Sequence, residues 1–220
     1  MIDAISWRQF RESEGLEDWR NLSDGASAMF RTDSFAVAAA FVAAISTVPL
    51  AEVHPPAIDI RPHGVTIHLR TVTDDYDGMS ASDVEVARSI SQVARQRGLT
   101  SDPTAVQSVL VIPAAPPGVE VAPFWRAVFG YDRRPGSPED DLVDPNRRGP
   151  GVWVEPMHEA RPDGGAVHVA IWVAQEVAQA RVEAALAAGG RLVRDRGPAW
   201  WTLADPAGNE ADIATTMGRD

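Results

Sequence analysis

Apolar residues recur along the first hundred positions in two rhythms, one of about 3.6 and one of 2. Helical spacing predicts helices over residues Ile5–Glu14, Phe35–Val48 and Ser82–Arg97. Alternation predicts strands over Trp19–Leu22, Ala26–Thr32, Ala57–Arg61 and Val65–Thr71. The third helix has its own start and stop signals. Ser82 followed by Glu85 reads as a capping box, Val86, Ile90 and Val93 share a face, and Gly98 ends it. Helix, two strands, helix, two strands, helix is the order of an α+β layer: an antiparallel sheet with helices on one face.

The polar segment at residues 100–104, which carries Pro103, separates this part from a second one. The expected domains are 1–100 and 105–217. The second reads as one pattern said twice. Val106–Ile112 is a strand, Val121–Phe129 a helix closed by Gly130, and strands follow near Leu142 and over Gly151–Met157. Ala166–Val173 is again a strand and Gln175–Ala188 a helix closed by Gly189 and Gly190. Strands at Arg191–Arg194, Trp200–Leu203 and Asn209–Ala214 complete it. Two such copies suit paired βαβββ modules better than a solenoid. Asp132–Pro150 is long, polar and proline-rich, and reads as a lid or a disordered loop.

Composition removes several kinds of function. Lys and Arg number 20 against 31 Asp and Glu, a formal charge of −11 that repels nucleic acid. There is no cysteine, so disulfides, thiolate metal sites and thiol nucleophiles are out. The start, MIDAISWRQF, lacks the basic and apolar regions of a signal peptide. The most apolar run, Phe35–Ile45, is well short of the roughly 20 residues of a membrane span. A cytoplasmic protein without membrane or nucleic-acid partners is expected.

Three segments carry a likeness: Phe30–Phe35, the Ala51-Glu-Val-His-Pro-Pro56 turn, and Gly78–Asp83. Over residues 15–98 the chain resembles the pterin-4a-carbinolamine dehydratase family. Its members remove water from a 4a-hydroxytetrahydropterin with a cluster of histidines as acid and base. The resemblance implies that His54 is the second histidine of the family's His-His-Pro triplet, Pro55 its proline, and Asp83 the acid opening the last helix. His54 and Asp83 are thus the implied catalytic residues. Val53 replaces the first histidine of the pair, and the third falls on Val72 or Asp74, in a loop about two residues longer than usual. Valine has no proton to exchange, so the implied activity is impaired. The plain alternative for His54 is a turn residue ahead of Pro55 and Pro56. His63, His68 and His158 read as solvent-facing.

In the second part, alternation puts Gln107, Val109 and Val111 on one strand face, and Trp153, Glu155 and Met157 on another. His168, Ala170 and Trp172 form a third such set, and Glu210, Asp212 and Ala214 a fourth. All four faces are expected to look inward, each with a polar group that is costly to bury without a partner. With the Asp205-Pro-Ala-Gly-Asn turn, these strands resemble the vicinal oxygen chelate superfamily, which includes glyoxalase I. That resemblance implies a metal held by Gln107, Glu155, His168 and either Asp212 or Glu210. Asp212 is favoured by its distance from Gly208. Such a set suits Zn, Ni, Mn or Fe(II), and Glu155 would serve as base as well as ligand. The alternative is that these groups satisfy one another around a metal-free pocket. Trp153, Trp172 and Trp201 are expected on the same faces, as core or as a platform for a flat substrate.

The leading expectation is a lyase or isomerase acting on a small oxygenated substrate in the glyoxalase-like cup. The rivals are an active 4a-hydroxytetrahydrobiopterin dehydratase and a non-enzymatic small-molecule binder. The family resemblance and the all-round apolar helix at Phe35–Val48 imply a homodimer or larger assembly.

Overall fold

A computed structural model describes residues 2–49, 51, 54–115, 121–137, 141–156, 166–204 and 210–219. The chain divides into two compact units, Met1–Val106 with Gly218–Asp220, and Gln107–Met217. Among the described residues, no helix is long and apolar enough to cross a membrane.

The first unit runs β1 (Ala4–Ile5), α1 (Trp7–Glu12), β2 (Arg20–Leu22), β3 (Gly25–Arg31), α2 (Phe35–Ile45), β4 (Ala57–Arg61), β5 (Gly64–Leu69), β6 (Thr71–Val72), β7 (Asp77–Ser80) and α3 (Ala81–Gln96). Strands β2-β3-β5-β4 form an antiparallel sheet, and β1-β7-β6 a small second one. Register places Ala26, Ala28 and Phe30 opposite Leu69, Ile67 and Val65, and all six are buried. Phe10, Phe41, Ile45, Val86 and Ile90 cover that face from the three helices, Phe41 meeting Phe30 edge to face at 5.4 Å. Alternation in the strands and helical spacing in α3 thus produce one core, an α+β layer as expected.

The sequence reading is corrected at several places. It did not contain β1, β6 and β7 or the small sheet they form, and Ile5, expected in the first helix, lies in β1. The cap of α3 is Ser80, with Asp83 at the third position, rather than Ser82 with Glu85. Asp83 is fully buried and reaches back to the Ser80 amide at 2.7 Å, whereas Glu85 is exposed and pairs with Arg88. Both serine spacings satisfy the capping rule, and burial of the acid selects the upstream one. His68 is only half-exposed: its Nδ1 lies 3.0 Å from Ser27 Oγ and its Nε2 3.1 Å from the Asp24 carbonyl. It ties a hairpin together. His63 is exposed, and His158 lies outside the described residues.

The second unit runs β8 (Gln107–Ala115), α4 (Ala122–Phe129), β9 (Asp132–Arg133), β10 (Leu142–Val143), β11 (Gly151–Val152) and β12 (Glu155–Pro156). It then repeats with β13 (Ala166–Val173), α5 (Gln175–Ala187), β14 (Arg191–Arg196), β15 (Trp200–Ala204) and β16 (Glu210–Ala214). Among the described residues these nine strands join in one mixed sheet, ordered β14-β15-β16-β13-β8-β11-β10-β9, with β12 also on β8. Each module is thus built alike, and the first strands β8 and β13 meet antiparallel along the middle. On one face Val173, Leu203 and Ile213 pack against Ala178 and Val182 of α5. Val111 and Val152 meet Trp125 and Phe129 of α4 on that same side. Both helices therefore cover one face.

Much of the polar stretch after Tyr131 is structured. Strands β9 and β10 pair, and the Asp144 carboxylate accepts the backbone N–H groups of Asn146, Arg148 and Gly149 at 2.8–2.9 Å. These three donors hold its pKa below the usual value.

Candidate functional sites

In the first domain, four elements converge on Asp83. Strand β5 gives way to β6 at Arg70, whose guanidinium is buried against Asp77. The change of sheet sets Thr71 at the start of α3, beside Ser80 at the end of β7. Asp83 Oδ2 accepts the Thr71 hydroxyl at 2.9 Å and the Ser80 amide at 2.7 Å, and the two hydroxyls lie 2.6 Å apart. Its other oxygen, Oδ1, stands 2.5 Å from His54 Nε2. His54 comes from the turn between α2 and β4, and its side chain is 15% exposed. One carboxylate thus fixes one imidazole, leaving Nδ1 with no partner among the described residues.

The two residues named for a third histidine lie away from this cluster. Val72 is 45% exposed and Asp74 is also exposed, while the preceding residue, Thr71, is the one that turns inward, 3.4 Å from His54 Nε2. Val53 falls outside the described residues. The sequence reading missed Thr71 and Ser80. The signal for Ser80 was present as a Ser-x-x-Asp spacing; for Thr71 nothing in the local sequence marks the change of sheet.

In the second domain, register decides which side chains share a face. Directly paired residues lie on the same side of a sheet. Gln107 pairs with Val173, and His168 with Ile112. Gln107 is therefore on the helix-covered side, and about 17 Å along the strand from the His168 level. It is exposed, and its Oε1 accepts from Arg181 of α5 at 2.8 Å. The expectation that Gln107 looks inward with His168 was an error of parity. Trp201 is corrected on the same ground: it pairs with Ile213 and packs in the α5 core. Trp200 takes its place, on the row of Ala214.

The residues that do share the helix-free face are His168, Trp172, Glu210, Asp212, Trp200 and Thr202. Glu155 joins them through its pairing with Ala114, and the same register carries Trp153 beside Ile112. Both Asp212 and Glu210 thus fall on the expected side. His168 Nε2 lies 3.4 Å from Asp212 Oδ2, an ion-pair contact at the long end of hydrogen-bond range. The Asp212 carboxylate raises the His168 pKa, burial works against it, and the charges of Asp212, Glu155 and Glu210 add to the rise. Asp212 Oδ1 is buried with no hydrogen-bond partner among the described residues. The Asp205–Asn209 turn and Met157 lie outside those residues.

A divalent metal needs three or more protein donors around one point. Among the described residues no three His, Asp or Glu side chains are so placed, and Gln107 is on the wrong face. The implied set does not fit a metal.

Comparison with known proteins agrees with both halves. A family model described as pterin 4 alpha carbinolamine dehydratase matches residues 5–93. A second, described as a glyoxalase-like domain, matches residues 109–214. A Nocardia farcinica protein named "Putative pterin-4-alpha-carbinolamine dehydratase" is 33% identical over 82 residues, 37% of this chain and 84% of that relative. The chain therefore belongs, through its first domain, to the pterin-4a-carbinolamine dehydratase family and carries a glyoxalase-like second domain.

Proposed function

We propose that the protein is a small-molecule lyase whose first domain eliminates water from a carbinolamine with one histidine, more slowly than a three-histidine relative. The observation that supports this reading is the 2.5 Å contact between His54 Nε2 and Asp83 Oδ1. A carboxylate on Nε2 fixes the ring and its orientation, so Nδ1 is the position that exchanges protons with substrate. In the protonated state Nδ1–H gives its proton to the departing hydroxyl, which leaves as water. The neutral ring then takes a proton from a substrate nitrogen, completing the elimination. One group must do in sequence what several would do together. Each missing acid–base group is worth about 10²–10⁴ in rate.

Absorbance of a 4a-hydroxytetrahydropterin tests this. Catalysed loss is expected at least about 100-fold below that of a family member with all three histidines. His54→Ala is expected to abolish it, and His63→Ala, in an exposed turn, to leave it unchanged. A rate at the ordinary family level would refute the impairment. An unchanged rate in His54→Ala would refute the role of the histidine.

A further inference from the structure

Strand β14 stands at the end of the second domain's sheet, with β15 its one neighbour among the described residues. All six of its residues are exposed, so its outer N–H and C=O groups are open to another strand. Register sorts the side chains of this margin. Arg191, Arg194 and Arg196 pair with Ala204, Thr202 and Trp200, which sets all three guanidinium groups on the helix-free side. Leu192 and Asp195 pair with Leu203 and Trp201 and take the opposite side.

None of these three arginine side chains forms a hydrogen bond or ion pair among the described residues. Two acids share their rows, Glu210 with Arg191 and Asp212 with Arg194. Both stand two strand spacings inward, about 9.6 Å across the sheet. The Asp212 carboxylate, moreover, lies against His168. On a chain of net charge −11 the margin is thus a row of three unmatched cations. Carboxylates that arrive from outside match them, and a guanidinium holds a carboxylate through two parallel hydrogen bonds.

Spacing decides what carries those carboxylates. The irregularity of β14 falls between Leu192 and Arg194, and Arg194–Arg196 then pair with β15 without a break. A short added strand meets a straight run there. Residues two apart in a strand repeat every 6.8 Å or about that, on one side of the sheet. Acids at alternate positions of an extended segment therefore keep step with Arg194 and Arg196. Its intervening residues face the side of Asp195 and of Leu192, which is 44% exposed. An acid there would meet the like charge of Asp195, whereas an aliphatic side chain suits Leu192. Main-chain pairing supplies affinity in such an addition, and alternate side chains supply selection.

We propose that β14 docks an extended segment of another protein as a further strand, its acids at alternate positions on Arg194 and Arg196 and aliphatic residues between them. The surface is separate from the His54 chemistry and does not depend on it.

The test uses the full chain and the peptide Glu-Val-Glu-Val-Glu-Val, blocked at both ends and labelled with a fluorophore. Anisotropy is expected to show saturable binding that weakens as salt is raised. Glu-Glu-Glu-Val-Val-Val, of equal charge but without the period, is expected to bind at least about 10-fold more weakly. Arg194→Glu combined with Arg196→Glu, at two exposed positions, should weaken the alternating peptide at least as much. Hydrogen exchange should slow over residues 191–196 when that peptide is bound. His54→Ala is expected to bind as the unaltered protein does. No saturable binding, equal binding of the two peptides, full binding by the double variant, or protection elsewhere without protection of 191–196 would each overturn the proposal. So would a single-stranded oligonucleotide that displaces the peptide and binds more tightly than it.

Discussion

Replacing Asp83 by alanine is the sharpest perturbation of the first domain, because one fully buried carboxylate serves three elements at once. Thr71 and Ser80 keep each other's hydroxyl at 2.6 Å, so those two groups remain partly satisfied. The Ser80 amide loses its acceptor at the first turn of α3, at a cost of about 1–3 kcal/mol for a buried N–H. The His54 ring loses a charge-assisted bond worth about 1.5–3 kcal/mol. Because His54 is 15% exposed, water recovers part of that second amount. The expected loss is about 3 kcal/mol, against the 5–15 kcal/mol that holds a typical domain together. Hydrogen exchange by mass spectrometry on peptides covering α3 reads the first domain alone within the full chain. At 1.4 kcal/mol per tenfold, exchange there should speed up about 10²-fold. Asp83→Asn separates structure from chemistry. Its amide still accepts from Ser80, so α3 should loosen by only about 1 kcal/mol while dehydration falls as far as in His54→Ala. An increase below about 5-fold in Asp83→Ala would show that the carboxylate does not hold this corner.

Two further outcomes are expected. Proton NMR should find the His168 pKa above its ordinary 6.5, because Asp212 lies against it, and Asp212→Asn should bring it down. A pKa raised by folding stabilises fully below the unfolded value, so this contribution to the second domain fades as pH climbs through the folded value. A wild-type pKa at or below 6.5 would refute the pairing. Helix α2 exposes Phe35 at 64% and Val37 at 40% among alanines, an apolar surface suited to a second copy. Light scattering should therefore give a dimer or larger that Phe35→Glu weakens, and a mass of 23.7 kDa at micromolar concentration would refute it.

The longer elements were legible because each carries its own local signal, whereas the short strands β1, β6, β7 and β9 have too few residues to show a period. Phe35–Ile45 and Gln175–Ala187 are good helix formers between clear stops, and Ala166–Val173 alternates cleanly. What a single strand does not reveal is which of its two faces meets the helices. For β8 both sets, Gln107-Val109-Val111 and Ser108-Leu110-Ile112, are apolar enough to be inside, and only pairing with β13 decides. That one-residue ambiguity displaced Gln107, and the same ambiguity exchanged Trp201 for Trp200. His168 and Asp212 share the helix-free face, opposite Val167, Val169 and Ile171 on one strand and Ile213 on the other. In the first domain His54 and Asp83 were found through resemblance, whereas Thr71 depends on the bend at Arg70, a tertiary feature with no local marker.

The outermost strand of the large sheet also bears on solubility. All six residues of β14 are exposed, and a sheet margin with free N–H and C=O groups invites another chain to add on. Here Arg191, Arg194 and Arg196 line the margin, and the pairing with β15 skips a residue at Val193, an irregularity that bends the strand. A second copy laid antiparallel along this margin would bring arginine against arginine and would not find a straight row of partners. The opposite margin, β9, is only Asp132 and Arg133. Charge at one end and brevity at the other keep a nine-stranded sheet from growing into a fibre.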